Sequence, residues 1–500
     1  MRVRPSIAVT GALVVTVLVA VAAAGTTHAN ASERPPTYPA AAPSTPASGT
    51  PAPARIAWKA CPDAPGAECG TLRLPIDWSA PRGAAYDMAV GRRKATDPKH
   101  RIGALVINPG GPGAAGVGIA TAAHGPFGAA ITSHFDLVGF DPRGVGASHP
   151  ITCERGTPRD QPATQAQFTA LVTANRAMRA HCRATAGPLY DHVDTLSVAR
   201  DVEALRIALG EKQLNFFGAS YGSVIGQQYA EQFGGRIRAM VLDGNLDHGA
   251  TLPEFLTGTA ADGEDGLRQF AAWCEHTSTC AFTGRPVLAR WAAFLTAADQ
   301  HRLIEAPADN APAGRWMAVQ SAYGALVAAD YPGFAQWLAG LRIVAKPSPA
   351  VPDGHDDVST SIRTPVLCED WAPHVTTFAQ LTALIAAQRA AAPNIRYSEE
   401  SMGLLLGCTG WDGPSPNPPR QVRLAAGAPI LLVNPGHDPA TGIRWAQRLQ
   451  QRSPGRFALV RWDGNGHTAY VRSACVRTAV ETYLVTAKPT ATTACPAAPS

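Results

Sequence analysis

Short apolar runs without helical period recur along the chain, each cut off by glycine, proline or charged residues. Residues 101–108, Arg-Ile-Gly-Ala-Leu-Val-Ile-Asn, stop abruptly at Pro109-Gly110-Gly111-Pro112-Gly113, and residues 135–140, Phe-Asp-Leu-Val-Gly-Phe, run into Asp141-Pro142-Arg143-Gly144-Val145-Gly146. Leu214-Asn215-Phe216-Phe217 breaks at Gly218, and Ile237 to Leu242 ends at Asp243-Gly244. Such runs predict strands buried on both faces. Between them, Val198, Val202, Leu205 and Leu209 fall on one helical face, with Gly210 where a C-terminal cap belongs. Val224 to Phe233 is also helix-compatible. Strands alternating with helices at this spacing predict an α/β fold with a mostly parallel sheet flanked by helices.

The rhythm breaks at about His248. From there to Pro414 the chain is rich in Ala and Trp, with helical stretches at Phe255 to Trp273 and Trp291 to Arg302 and no clear buried strand. Strand-like runs return at residues 428–433 and 456–461, so the sheet resumes after a largely helical insertion. The expected order is core from 55 to 247, a helical insertion from 248 to 414, and the rest of the core from 415 to 500.

The N-terminus carries a different pattern. Arg2 and Arg4 precede an apolar stretch from Ile7 to Ala24, followed by small residues through Ala29 and Ala31. This is the pattern of a signal peptide over residues 1–31, and residues 32–54, rich in Pro, Ala, Ser and Thr, read as a tether. Export is therefore expected, without stable membrane insertion after cleavage. The 10 cysteines then read as disulfides between sequence neighbours: Cys61–Cys69, Cys153–Cys182, Cys274–Cys280, Cys368–Cys408 and Cys475–Cys495. Neither a Cys-x-x-Cys pair nor His-rich spacing points to a metal. A formal charge of +5 over 500 residues, with Lys and Arg scattered, gives no sign of nucleic-acid binding.

One motif carries chemistry directly. Gly218-Ala219-Ser220-Tyr221-Gly222 sits between a predicted strand and a predicted helix. In that setting Gly-x-Ser-x-Gly is the nucleophile elbow of the α/β-hydrolase fold, a turn so tight that side chains at the glycines would collide with backbone. A serine hydroxyl is a poor nucleophile near neutral pH, so it needs a base oriented by a third group. In this fold the chain order is Ser, acid, His. His467 follows the last predicted strand and Asp438 follows the one before it, so Ser220, Asp438 and His467 form the expected triad. Rivals are His437 for the base, which lies one loop too early, and Asp243 for the acid, which also ends a strand. Asp463 reads as a loop-stabilising residue. The Pro109–Gly113 loop follows an early strand, where the fold places half of its oxyanion hole; prolines have no N–H to give. Gly111 is the expected donor, with Gly110 as runner-up, acting together with the N–H of Tyr221.

Asn108 to Gly113, Asp141 to Gly146, Gly218 to Gly222 and Val241-Leu242-Asp243-Gly244 occur in the order seen in the secreted tripeptidyl aminopeptidases of actinobacteria, relatives of prolyl aminopeptidases. The last part of the chain, with Asp438-Pro439-Ala440-Thr441, Gly466-His467 and Cys475, resembles their TAP-like C-terminal region. The resemblance covers nearly everything after the tether. One departure is Ala114-Ala115-Gly116, where many relatives carry a serine. It implies a secreted serine exopeptidase that releases short peptides or amino acids from free N-termini, with a helical cap limiting access and acidic cap residues holding the substrate ammonium. Glu369, Asp370, Glu264 and Asp265 are the candidate amine-binding acids. The alternatives are a secreted carboxylesterase or lipase-like hydrolase with the same triad, and an inert exported binding component. Ser rather than Asp at the elbow disfavours an epoxide hydrolase or dehalogenase. The mechanism requires no cofactor, and the expected partner is a peptide or small acyl substrate.

Overall fold

The computed structural model describes residues 55–152, 161–306, 310–348, 362–371, 373–424 and 427–497. The signal peptide and tether expected before residue 55, and Cys153 with its expected bridge, lie outside the described residues.

The core is a ten-stranded sheet. Its strands are β1 (Lys59–Ala60), β2 (Glu68–Pro75), β3 (Ala85–Arg93), β4 (Gly103–Asn108), β5 (Phe135–Phe140), β6 (Leu214–Ala219), β7 (Ile237–Asp243), β11 (Ile430–His437), β12 (Phe457–Asn465) and β13 (Ala494–Cys495). They lie in the order β1-β2-β3-β5-β4-β6-β7-β11-β12-β13. From β5 through β13 every pairing is parallel, whereas β1, β2 and β3 join antiparallel. In β4, Ala104 and Val106 face one side and Leu105 and Ile107 the other, and all are buried. That double burial is why these strands read as continuous apolar runs.

Fourteen α-helices flank or cap the sheet among the described residues: α1 (Val117–Thr121), α2 (Ala129–His134), α3 (Gln165–Ala186), α4 (Thr195–Ala208), α5 (Gly222–Phe233), α6 (Leu252–His276), α7 (Val287–Asp299), α8 (Arg315–Ala328), α9 (Tyr331–Gly340), α10 (Arg363–Trp371), α11 (Phe378–Ala391), α12 (Glu399–Cys408), α13 (Ile443–Arg452) and α14 (Ala474–Thr486). One face of the sheet packs α4, α5 and α13, through Val202, Tyr229 and Leu449. The other packs α1, α2 and α14, through Ala120, Ile131 and Val480.

Helices α6 to α12, all between β7 and β11, share a third apolar cluster over the sheet's C-terminal edge. The amphipathic helix α3 joins it through Phe168 and Leu171, although it precedes β6 in sequence. The insertion also holds a small antiparallel sheet, of β8 (Leu303–Glu305), β9 (Ala311–Pro312) and β10 (Leu341–Ile343), which periodicity did not reveal because each strand is so short. The cap is seated on the core where a Cβ at Gly258 would come 2.7 Å from the Trp445 ring. Arg444 of α13 reinforces that seat by pairing with Asp262 of α6.

Four of the neighbour pairings form: Cys61–Cys69, Cys274–Cys280, Cys368–Cys408 and Cys475–Cys495. Cys368–Cys408 closes 40 residues and ties α10 to α12 within the cap. Replacing both cysteines with alanine is expected to cost roughly 2–4 kcal/mol, by freeing the unfolded chain. Urea unfolding would show a lower midpoint, and an unchanged midpoint would remove this bridge from the account of cap stability. No described helix is long and apolar enough to cross a membrane.

The Asp141-Pro142-Arg143-Gly144 segment proves to be a brace. Arg143 is buried, with Nε and an Nη each 2.7 Å from Asp201 and its other Nη donating to the carbonyls of Ile76 and His192. Tyr86 and Trp78 donate to the same carboxylate at 2.9 Å. A buried guanidinium is tolerated only when its charge and donors are met in this way.

Candidate active site

Strand β6 delivers Ser220 into a left-handed backbone conformation with φ of 56°, immediately before α5. The flanking glycines are required by space: a Cβ at Gly218 would lie 2.4 Å from the carbonyl oxygen of Gly222, and one at Gly222 would lie 2.7 Å from that of Asn108. The bend is held by Ser220 N–H donating to the Asp243 carbonyl at 2.8 Å. Strain of this kind, fixed by surrounding backbone, marks functional positions.

His467 follows β12 through Gly466, whose φ is 94°. Its Nδ1 lies 3.1 and 3.2 Å from the two oxygens of Asp438. Its Nε2 is buried and makes no hydrogen bond among the described residues. A general base must come within hydrogen-bond reach of the hydroxyl it deprotonates, and no competing partner among the described residues occupies this nitrogen. The loop is anchored to the cap, since His467 N–H donates to Val327 O at 2.9 Å and Arg472 bonds the carbonyls of both His467 and Val327.

Asp438 is fully enclosed after β11 and collects further donors: Ala440 N–H at 2.7 Å, Thr441 N–H at 2.9 Å and the Thr441 hydroxyl at 2.8 Å. Burial pushes its pKa up, but the imidazole of His467 and the bonds from Thr441 outweigh that and hold it below the ordinary carboxylate range. Asp438 is therefore ionised whenever the protein is folded near neutral pH. Ser220, His467 and Thr441 converge on one stretch, Asp243-Gly244: a Cβ at Gly244 would come 3.1 Å from His467 Cε1 and 2.7 Å from Thr441 Oγ1.

The glycine loop closes over the elbow. A Cβ at Gly110 would lie 2.7 Å from Tyr221 N and 2.9 Å from Ser220 Cβ. The N–H of Gly110 is already engaged by Asn108 Oδ1 at 2.9 Å, whereas no acceptor bonds the N–H of Gly111 or Tyr221 among the described residues. Gly111 sits at φ of 106°, a conformation that suits glycine alone.

Residues 103–319 match the family model described as alpha/beta hydrolase fold, and residues 395–495 match that of TAP-like protein. Serine protease Hip1 of Mycobacterium tuberculosis is 30% identical over 453 residues, which span 84% of this chain and 85% of that protein. The chain belongs to the α/β hydrolases with a TAP-like C-terminal part. Tripeptidyl aminopeptidase of Streptomyces coelicolor is 28% identical, over 84% of this chain and 81% of its own. Carboxylesterase B of Mycobacterium tuberculosis is 31% identical, over 84% of each.

In this α/β hydrolase the rival residues all have other engagements. His437 pairs with Asp265 of α6 at 2.8 Å, and that bond holds its pKa above the ordinary value. Asp463 makes an exposed ion pair with Arg461 at 2.8 Å. Asp243 points its carboxylate at the backbone beyond His467 and makes no bond to the imidazole.

The four candidate amine-binding acids do not gather at Ser220. Glu369 and Asp370 are fully buried on α10. Glu369 accepts from Val193 N–H at 3.0 Å, and burial pushes its pKa well up. Asp370 accepts from the Tyr221 hydroxyl at 2.6 Å, Thr195 N–H at 2.9 Å and Asn417 at 2.8 Å; burial and nearby Asp194 raise its pKa to about 6. It thus grips the side chain of the residue whose N–H faces the glycine loop. Glu264, buried on α6, braces the backbone of Asn394 and Ile395. Only Asp265 keeps appreciable exposure, beside His437.

Sequence reading missed Glu399. This partly open carboxylate begins α12, bonds Gln320 of α8 at 3.4 Å and acts on the charges of Arg363 and Tyr323. Tyr323, buried with a hydroxyl lacking any partner among the described residues, also senses Asp438, while Arg363 senses Tyr221. The only sequence signal was Ser398-Glu399-Glu400, which reads as an ordinary helix start. Among the described residues no group of three or more His, Cys, Asp or Glu side chains is placed to hold a metal ion.

Thr441 is the immediate support of the Asp438–His467 pair, since its hydroxyl also lies 3.3 Å from His467 Nδ1. Thr441→Val keeps the shape but removes one donor to Asp438 Oδ2 and one neighbour of the imidazole, loosening both. The expected result is a fall in kcat of about 10–100-fold with KM little changed. Steady-state kinetics check this, and wild-type kcat in the variant would reduce the hydroxyl to a packing role.

Proposed function

We propose that this chain is an exported serine exopeptidase acting on free peptide N-termini. The observation that carries the reading is the imidazole of His467, tethered through Nδ1 to Asp438, with its other nitrogen buried and its Cε1 3.1 Å from where a Cβ at Gly244 would lie, next to the residue whose carbonyl holds the Ser220 N–H. The relatives named serine protease and tripeptidyl aminopeptidase favour peptide substrates.

In the proposed mechanism the Ser220 Oγ–carbon bond forms as His467 Nε2 takes the hydroxyl proton. The carbonyl electron pair moves to oxygen, where the N–H groups of Gly111 and Tyr221 meet the developing charge. The pair returns, the C–N bond breaks, and His467 delivers its proton to the departing amine. Water then attacks the acyl-enzyme by the same route and releases the acid product. Asp265 and Glu399, two of the partly open cap carboxylates, are assigned to the substrate ammonium; Glu369, Asp370 and Glu264 act as braces.

A second reading, a carboxylesterase, is favoured by the relative so named. Tripeptidyl-anilides, their N-acetylated forms and short acyl esters separate the two. The exopeptidase reading expects hydrolysis of the free tripeptidyl-anilide and loss of activity on N-acetylation. Ester turnover with no amide cleavage sinks it. Labelling by a fluorophosphonate, abolished in Ser220→Ala, tests for any nucleophilic serine, and a folded wild-type protein that resists labelling returns the chain to an inert binding role.

A further inference from the structure

Asp243 ends β7 between the strand that carries the nucleophile and the strand that carries the acid: its register partners are Ala219 of β6 and Val433 of β11. Its backbone carbonyl accepts from Ser220 N–H at 2.8 Å. Its two carboxylate oxygens accept separately, from Ala469 N–H at 2.8 Å and from Tyr470 N–H at 2.9 Å, just beyond His467. One buried residue therefore touches the bend that holds the nucleophile and the loop that holds the base.

The choice of a carboxylate here is costly, because Asp243 is 1% exposed and no Lys or Arg pairs with it among the described residues. Two adjacent N–H groups need two acceptor oxygens on one rigid fork. Asparagine offers one acceptor and would set a donor against a donor. A residue serving only the fold could be apolar, since burying an unpaired charge without gain is disfavoured. We propose that Asp243 is a positioning residue for hydrolysis, setting the distance between Ser220 and His467 through its main chain on one side and its carboxylate on the other. This rests on the hydrolase reading above.

The proposal has a pH signature. Burial pushes the Asp243 pKa up to about 6; the two backbone bonds and His467 pull it back, and Asp438 adds to the rise. Arg472 is the remaining charged group that senses it. Below that pH the group carries a proton, one oxygen becomes a weaker acceptor for its N–H, the charge that strengthens both bonds is gone, and the loop loosens. Activity is thus present above about pH 6 and lost as the pH falls through it.

The test is the rate of phosphonate labelling against pH, for wild type and Asp243→Asn, with kcat and KM per titrated active site. Expected for wild type is a labelling rate that falls as the pH drops through about 6, along an acid limb steeper than that of Asp243→Asn. In Asp243→Asn kcat falls on the order of 10–100-fold with KM within about three-fold. A wild-type rate that does not fall through that pH overturns the proposal even if the variant cannot be folded. So does a variant whose kcat per active site matches wild type, or whose acid limb is as steep as that of wild type. Wild-type protein that takes no label at all sinks the hydrolase reading itself, whereas labelling with limbs of equal steepness in the two proteins sinks only the role of Asp243.

Discussion

Ser220→Ala and His467→Ala are each expected to lower kcat by about 10⁶, and the double variant to lose little more than either alone. The reason is that neither group works singly. The Ser220 hydroxyl gains nucleophilicity only when a base removes its proton, and His467 Nε2 has no competing hydrogen bond among the described residues. In the proposed mechanism what survives is the contribution of the N–H donors at Gly111 and Tyr221 and of binding, about 10³–10⁴ over the reaction in water. Both variants should fold, because the bonds that hold these positions run through backbone: Ser220 N–H to Asp243 and His467 N–H to Val327. Steady-state kinetics on the best anilide, with unfolding curves as control, measure this. Losses that multiply in the double variant, or a His467→Ala protein retaining more than about a hundredth of the activity, would show that the two side chains do not act as a unit.

What could be read from the chain divides along physical lines. Strands β4, β5, β6 and β7 were legible because both of their faces are covered, so their composition alone announces them. The antiparallel strand β2 was missed because a half-exposed strand such as Glu-Cys-Gly-Thr-Leu-Arg-Leu-Pro buries little beyond Leu72 and Leu74. The elbow was legible since only glycine fits beside Ser220, a local constraint written into five residues. The fate of Glu369 and Asp370 was not. Their partners, Val193 and Thr195, stand 176 and 175 residues away, and nothing in Cys-Glu-Asp-Trp distinguishes an acid that grips buried backbone from one that faces a ligand. Likewise Asp243 and Asp438 both end strands, and only the three-dimensional direction of each carboxylate, one toward an imidazole and the other toward a loop, separates them.

That separation leads to the second large effect. Asp438→Asn is expected to lower kcat by about 10⁴ while leaving the fold and KM nearly unchanged. Two backbone donors, Ala440 N–H and Thr441 N–H, converge on the same oxygen, Oδ1, at 2.7 and 2.9 Å. They will select the amide oxygen of an asparagine for that place. Its NH₂ group then occupies the position of Oδ2, 3.1 Å from His467 Nδ1. A donor facing Nδ1 forces that nitrogen to accept, which moves the ring proton to Nε2, where the imidazole can no longer take the proton of Ser220. The backbone around Asp438 thus makes the harmful orientation the favoured one, and the defect is one of tautomer rather than of packing. Phosphonate labelling slowed by the same factor as anilide hydrolysis checks the argument, because both need the base. A decrease of less than about ten-fold would mean that another acid orients His467, and Asp243, the nearest rival in the sequence, would be the first to examine by combining the two substitutions.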